Sequence, residues 1–171
     1  RYLPEKKRRE TWKELVERNK KMHIKKYPEL KSEIDKAYKF VLDVGSNDGS
    51  FIQACAQHGL EAFGIEPAAA VAEWANKNGR KTINCYFDEN TKDKLSKNNY
   101  PISYDFITFN NVLANISDPG KSLRLASKLL KNDNSTIVVQ TGYHPILFAK
   151  GLFDYIYHEH FSYFTISSMS H

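Results

Sequence analysis

The sequence predicts an α/β fold, a mostly parallel sheet with helices on both faces, preceded by basic amino-terminal helices. Two observations carry this. From Phe40 onward, short apolar runs alternate with helical patterns, the rhythm of strands joined by helical crossovers. Before Phe40 the chain is dominated by Lys, Arg and Glu, with residues 1–40 holding 14 Lys or Arg against 7 Asp or Glu. The remainder holds 11 against 13, so the net charge of +5 comes from the first quarter of the chain.

In that lead, Trp12, Leu15, Val16 and Met22 fall near helical spacing between Lys6 and Lys26, which predicts an amphipathic helix. Tyr27-Pro28 interrupts it, and Leu30, Ile34, Ala37 and Tyr38 mark a second, shorter helix after the proline. Strands are predicted at 40–44, 62–65, 81–87, 105–109 and 136–140. Helices are predicted at 50–58, ending at Gly59, at 68–78, stopped by Gly79, and at 123–130. A chain of 171 residues with 41% hydrophobic content supports one core. The division expected is a basic helical lead over 1–39, a binding core over 40–150 and a reactive segment over 151–171. The first residue is Arg1, and Ile166 to His171 read as a helix start, so a piece of a longer protein is expected.

No apolar run approaches the roughly 20 residues of a membrane span, and the amino terminus lacks the apolar centre of a signal sequence. A cytoplasmic protein that does not engage membrane is expected. Cys55 and Cys85 are the only cysteines, too few for a disulfide framework, and are expected as free thiols. The basic lead could attract phosphate groups, but a solvated helix face is the favoured reading of it, so nucleic acid is a secondary expectation.

The strand ending in Val41-Leu42-Asp43-Val44-Gly45-Ser46-Asn47-Asp48-Gly49 places a glycine turn where open parallel sheets bind ligands. Gly45 permits a tight turn and close ligand approach, Gly49 lets the next helix begin against the sheet, and Asp43 is expected to brace the turn by accepting backbone N–H bonds. Ser46 and Asn47 lie within the turn. Gly64-Ile65-Glu66-Pro67 ends the next strand, with Glu66 placed 17 residues after Gly49, where a carboxylate can meet both hydroxyls of a ribose. Dinucleotide enzymes carry G-x-G-x-x-G before such an acid. Here the spacing is G-x-x-x-G with Asn47 where the middle glycine would stand, which favours S-adenosylmethionine over NAD as cofactor. Phe87-Asp88 is expected to present a ring edge and a carboxylate to the adenine, and Asn110-Asn111 to lie beside the methionine part and the methyl acceptor.

The densest chemistry lies in Phe153 to Phe164, where Tyr157, His158, Glu159, His160 and Tyr163 gather. Histidine and glutamate move protons near neutral pH, and tyrosine donates to an oxyanion. His158 and His160 could instead hold a metal, but no third ligand is evident, and no metal is expected. In a regular strand His160 and Glu159 would face opposite sides, so joint action requires a turn, bulge or helix start.

In order, the turn, Gly-Ile-Glu-Pro, Asn-Asn-Val-Leu-Ala-Asn and Tyr-His-Glu-His-Phe-Ser-Tyr-Phe resemble the C-methyltransferases of nucleotide-linked deoxysugars over about residues 40–168, members of the Rossmann-like class I methyltransferases. Only the last motif is distinctive; the others are general to methyltransferases. The resemblance implies removal of a proton beside a ketone and attack of the enolate on the methyl group of S-adenosylmethionine. His160 would be the base, with Glu159 and Tyr157 orienting it or steadying the enolate. The implied acceptor is a small anionic nucleotide-sugar. Family members carry His where this chain has Asn115, and have an amino-terminal zinc module and a further carboxyl-terminal domain that this sequence lacks. Two alternatives remain: transfer to RNA or to an oxygen or nitrogen of another small molecule, and a non-catalytic cofactor-binding portion of a larger assembly. No Asn or Asp-Pro-Pro-aromatic run and no Lys-Asp-Lys-Glu set supports the first.

Overall fold

The computed structural model describes residues 2–3, 8–9, 22, 25–26, 28–30, 39–151, 156 and 158–170. Five parallel strands form the sheet: β1 (Phe40–Val44), β2 (Glu61–Glu66), β3 (Thr82–Asn84), β4 (Phe106–Asn110) and β5 (Thr136–Gln140). Their order is β3-β2-β1-β4-β5, with β1 in the centre. The helices are α1 (Ser50–Gln57), α2 (Ala69–Lys77), α3 (Thr91–Lys97), α4 (Pro119–Ser127), α5 (His144–Ala149) and α6 (Ile166–Met169). Among the described residues no helix is long and apolar enough to cross a membrane.

The apolar run of β1 is explained by its position. Val41, Leu42 and Val44 are almost wholly buried, because a central parallel strand is covered on both faces. Leu42, Ile65, Ile107 and Phe109 from three adjacent strands share one core with Leu95, Tyr104 and Leu113. Val41 joins Ile52, Cys55 and Ala62 in a smaller cluster under α1. Cys55 is buried and Cys85 half-buried, and both are free thiols.

The predicted elements differ from the observed ones where local hydrogen bonding overrides pattern. The third strand stops at Asn84 rather than Phe87. The Cys85 N–H turns back to the Ile83 carbonyl, and Phe87 leaves the ladder to pack edge-on against Phe109. The helix predicted at 123–130 begins at Pro119, where the Asp118 side chain accepts the Lys121 N–H and proline takes the first turn. It ends before Leu130, which bridges Tyr104 beside the sheet. Helices α3 and α5 were not anticipated. Most of the helix expected over Lys6–Lys26 lies outside the described residues. Within them, Arg8–Arg9 are extended and paired antiparallel to Tyr2–Leu3, whereas Met22, Lys25 and Lys26 are helical. Of the second expected helix only a 3-10 turn at Pro28–Leu30 is described.

Candidate active site

A cleft of about 780 Å³ opens at the carboxyl ends of β1, β2 and β4, within the size range of small-molecule sites. Its floor is the turn after β1, in which Gly45, Asn47 and Gly49 take φ of 70°, 49° and 74°. This alternating left-handed path needs glycine or asparagine. At Gly45 a side chain would also collide with its neighbour, since a Cβ would lie 2.6 Å from Val112 Cγ2.

The turn is tied to β2. The N–H groups of Gly45 and Ser46 both donate to the Ile65 carbonyl, at 2.8 and 3.0 Å. Glu66 then holds the turn with its carboxylate: Oε2 accepts the Asn47 N–H at 2.9 Å and Oε1 the Ala68 N–H at 2.8 Å. Glu66 is 9% exposed and lines the cleft. It takes up the bracing role that the sequence suggested for Asp43. Among the described residues Asp43 accepts no backbone N–H. Its Oδ1 instead accepts Thr108 Oγ1–H at 2.7 Å and the Asn110 amide at 2.9 Å, both from β4, because register sets Asp43 beside Thr108 and places Asp43, Thr108 and Asn110 on the same face of the sheet. Burial pushes the Asp43 carboxyl up to about 6, and the two hydrogen bonds oppose that shift only in part.

The remaining candidates divide. Pro67, Phe87, Asn110 and Asn111 line the cleft. Ser46 is buried behind the turn, and Gly49 is covered by the stem of Arg80. The Asp88 carboxylate accepts the Asn90 N–H and pairs with Lys94 at 3.0 Å, and is not among the cleft-lining groups. Asn110 spends its amide N–H on Asp43, and Asn111 has φ of 55°, so turn geometry accounts for part of this asparagine pair. Tyr86, Val112, Ile116 and Ser117 are also walls, with no local pattern that marks them in the sequence; Asn115 joins them.

Beyond Asn111 lies a second cavity of about 290 Å³, lined also by Thr141, His160, Ser162 and Tyr163. Asn111 faces both spaces. The segment bearing His160 is not a flat strand. His158 and Glu159 form an exposed turn, and the Phe161 and Ser162 N–H groups both donate to the Ala114 carbonyl, at 2.8 and 3.2 Å. Phe161 thereby reaches the larger cleft while His160 faces the smaller cavity, its ring edge-on to Tyr163 at 5.6 Å. Tyr163 also packs on His144, a residue the sequence reading passed over, with ring centroids 4.7 Å apart. His158 and Glu159 line neither space, and Tyr157 lies outside the described residues.

The cleft suits an elongated ligand with a flat base and polar ends. Ile65, Pro67, Phe87, Val112 and Ile116 give apolar walls, Glu66 places acceptors at one side, and Asn110 and Asn111 place amides at another.

Comparison with known proteins accords with this arrangement. The family described as "Methyltransferase domain" matches residues 5–171. A C-methyltransferase of Streptomyces niveus, NovU, is 30% identical over 129 residues, 75% of this chain and 30% of its own length. An S-adenosylmethionine-dependent methyltransferase from Archaeoglobus fulgidus superposes with a TM-score of 0.60 at 19% identity, covering 91% of this chain and 65% of that one. The YcgJ protein of Bacillus subtilis gives 0.59 at 22% identity, covering 78% and 59%. The chain thus spans less than two thirds of the length of each of these proteins.

Proposed function

Because the chain belongs to the methyltransferase-domain family, we propose that it uses S-adenosylmethionine to methylate a carbon of a nucleotide-linked keto-deoxysugar. The observation that carries this reading is the junction at Asn111, where the large cleft meets the cavity that holds His160. A methyl donor in the first and an acceptor in the second would face each other there. The name of the Streptomyces relative supports carbon as the acceptor atom.

S-adenosylmethionine supplies, when bound, a methyl group on a sulfonium that leaves as a neutral thioether. Glu66, although engaged with two backbone amides, keeps lone pairs for ribose hydroxyls, since each carboxylate oxygen accepts more than one hydrogen bond. The apolar walls would hold the base, and Asn111 would border the methyl group. An imidazole nitrogen of His160 takes the proton from the carbon beside the ketone, and the electron pair of that C–H bond becomes the enolate, the nucleophile to which the bound cofactor would supply its methyl group. The half-buried setting of His160 excludes much of the water that would compete for the proton.

The test is methyl transfer and deuterium wash-in at the carbon beside the ketone, measured in heavy water with a nucleotide-linked keto-deoxysugar. His160→Ala should lower both by about 10²–10⁴-fold, the usual contribution of a general base, while binding S-adenosylhomocysteine as the unaltered protein does. Retained exchange and transfer in His160→Ala would sink the proposal.

A further inference from the structure

Arg80 lies in the connection between α2 and β3, 32 residues after Asp48, yet its side chain reaches back to the glycine turn. Its Nη1 donates to the Asp48 carbonyl at 2.7 Å and lies 3.6 Å from the Asp48 carboxylate. Its Nη2 donates to the Gln53 side chain on α1. The guanidinium lies over the Trp74 ring of α2, 4.9 Å from its centroid. The methylene stem fills the place where a side chain at Gly49 would stand, with a Cβ there only 2.9 Å from Arg80 Cβ and Cδ. The Arg80 side chain is only 14% exposed.

These contacts act on one peptide group. The plane between Asp48 and Gly49 has its carbonyl held by Arg80 and its N–H held by the Ser46 carbonyl at 2.9 Å. With both ends fixed, the left-handed Gly49 cannot rotate without breaking a charge-assisted bond, and neither can Asn47 two residues earlier, whose N–H is committed to Glu66. We infer that Arg80 is a positioning residue for the cofactor: from the side of the turn away from the cleft, it locks the floor on which the ligand rests. This rests on the cleft being the S-adenosylmethionine site. Arginine suits the task better than lysine, because the planar fork reaches Asp48 and Gln53 together while stacking on Trp74.

Affinity for S-adenosylhomocysteine, measured by calorimetry on the unaltered protein, Arg80→Ala and Arg80→Lys, tests the inference. Arg80→Ala should bind about tenfold more weakly, the order expected when a hydrogen bond to a charged group is lost, with its far-ultraviolet circular dichroism and cooperative melting retained. Arg80→Lys should recover part of that loss, since one ammonium can reach the Asp48 carbonyl but not both partners. Equal affinity in Arg80→Ala and the unaltered protein would overturn the inference. If Arg80→Ala does not fold, unaltered affinity in Arg80→Lys would overturn it instead. Absence of binding by the unaltered protein is a separate outcome: it removes the cofactor reading, and the inference with it.

Discussion

Asp43, in the centre of the sheet, and Asn110, at the end of the neighbouring strand, are joined by a 2.9 Å hydrogen bond from amide to carboxylate. The bond links the strand that leads into the glycine turn to the strand that ends at the junction of the two cavities. It also fixes the Asn110 amide, leaving its carbonyl oxygen as the group able to accept from a ligand.

The Asp43 carboxyl makes stability depend on pH in an unusual direction for an aspartate. In the folded protein it gives up its proton at about 6, in the unfolded chain near 3.9. Between these values the folded state binds more protons, so stability falls as pH rises. The favourable contribution is fully present below about pH 4 and is lost through about pH 6. Asp43→Asn should remove about 2–3 kcal/mol of this pH-dependent loss, seen as a flatter profile than the unaltered protein in denaturant titrations from pH 4 to 7. Parallel profiles would refute the assignment.

Glu66 holds two backbone N–H groups with its two carboxylate oxygens. In Glu66→Gln one oxygen is replaced by a donor that faces an N–H, so one bond is lost and one donor is opposed. A loss of about 1–3 kcal/mol in folding stability is expected, together with weaker binding of S-adenosylhomocysteine, both measurable by urea titration and calorimetry. A change in binding with no change in stability would mean that the bracing role is wrong.

Gly45→Ala meets two penalties, the left-handed backbone and the approach to Val112. Together they should cost about 2–4 kcal/mol. The double variant Gly45→Ala with Val112→Ala separates them: removing the methyls at 2.6 and 3.4 Å should recover most of the steric part, leaving the contact with Val112 Cβ at 3.0 Å and the backbone part. Full recovery would show that φ carries no cost here.

Much of this was legible in the sequence, for reasons that differ residue by residue. The strands at 40–44 and 136–140 were placed to the residue because a buried parallel strand is a continuous apolar run with turn chemistry at its end. The turn and Glu66 were found because they are local, nineteen residues apart at their hydrogen bond. The roles of Asp43 and Asn110 were not, because their bond depends on the register of strands 67 residues apart in the chain, and no local pattern encodes register. Helix α3, Thr-Lys-Asp-Lys-Leu-Ser-Lys, offers too few apolar residues to show a period: only Thr91 and Leu95 are buried. The start of α4 was available in Asp118-Pro119, a cap followed by a proline, but Gly120 weakened the pattern. A turn is needed from the sequence only for Glu159 and His160 to act together; the observed turn leaves Glu159 exposed and outside both spaces, and its anchor at Ala114 has no signature of its own.

That anchor bears on the order in which the molecule assembles. The glycine turn and Glu66 close a short loop of chain, whereas the Phe161 and Ser162 amides reach back to Ala114 across a much longer one. Loop-closure entropy rises with length, and contacts distant in sequence form late. The bond from Asn47 to Glu66 therefore has the lower entropic cost of closure. The His160 segment is held both by the Ala114 carbonyl and by Phe164, which is buried in the core and whose carbonyl accepts the His144 N–H, so a folding chain can close the loop from Asn47 to Glu66 before the His160 segment has either of its anchors.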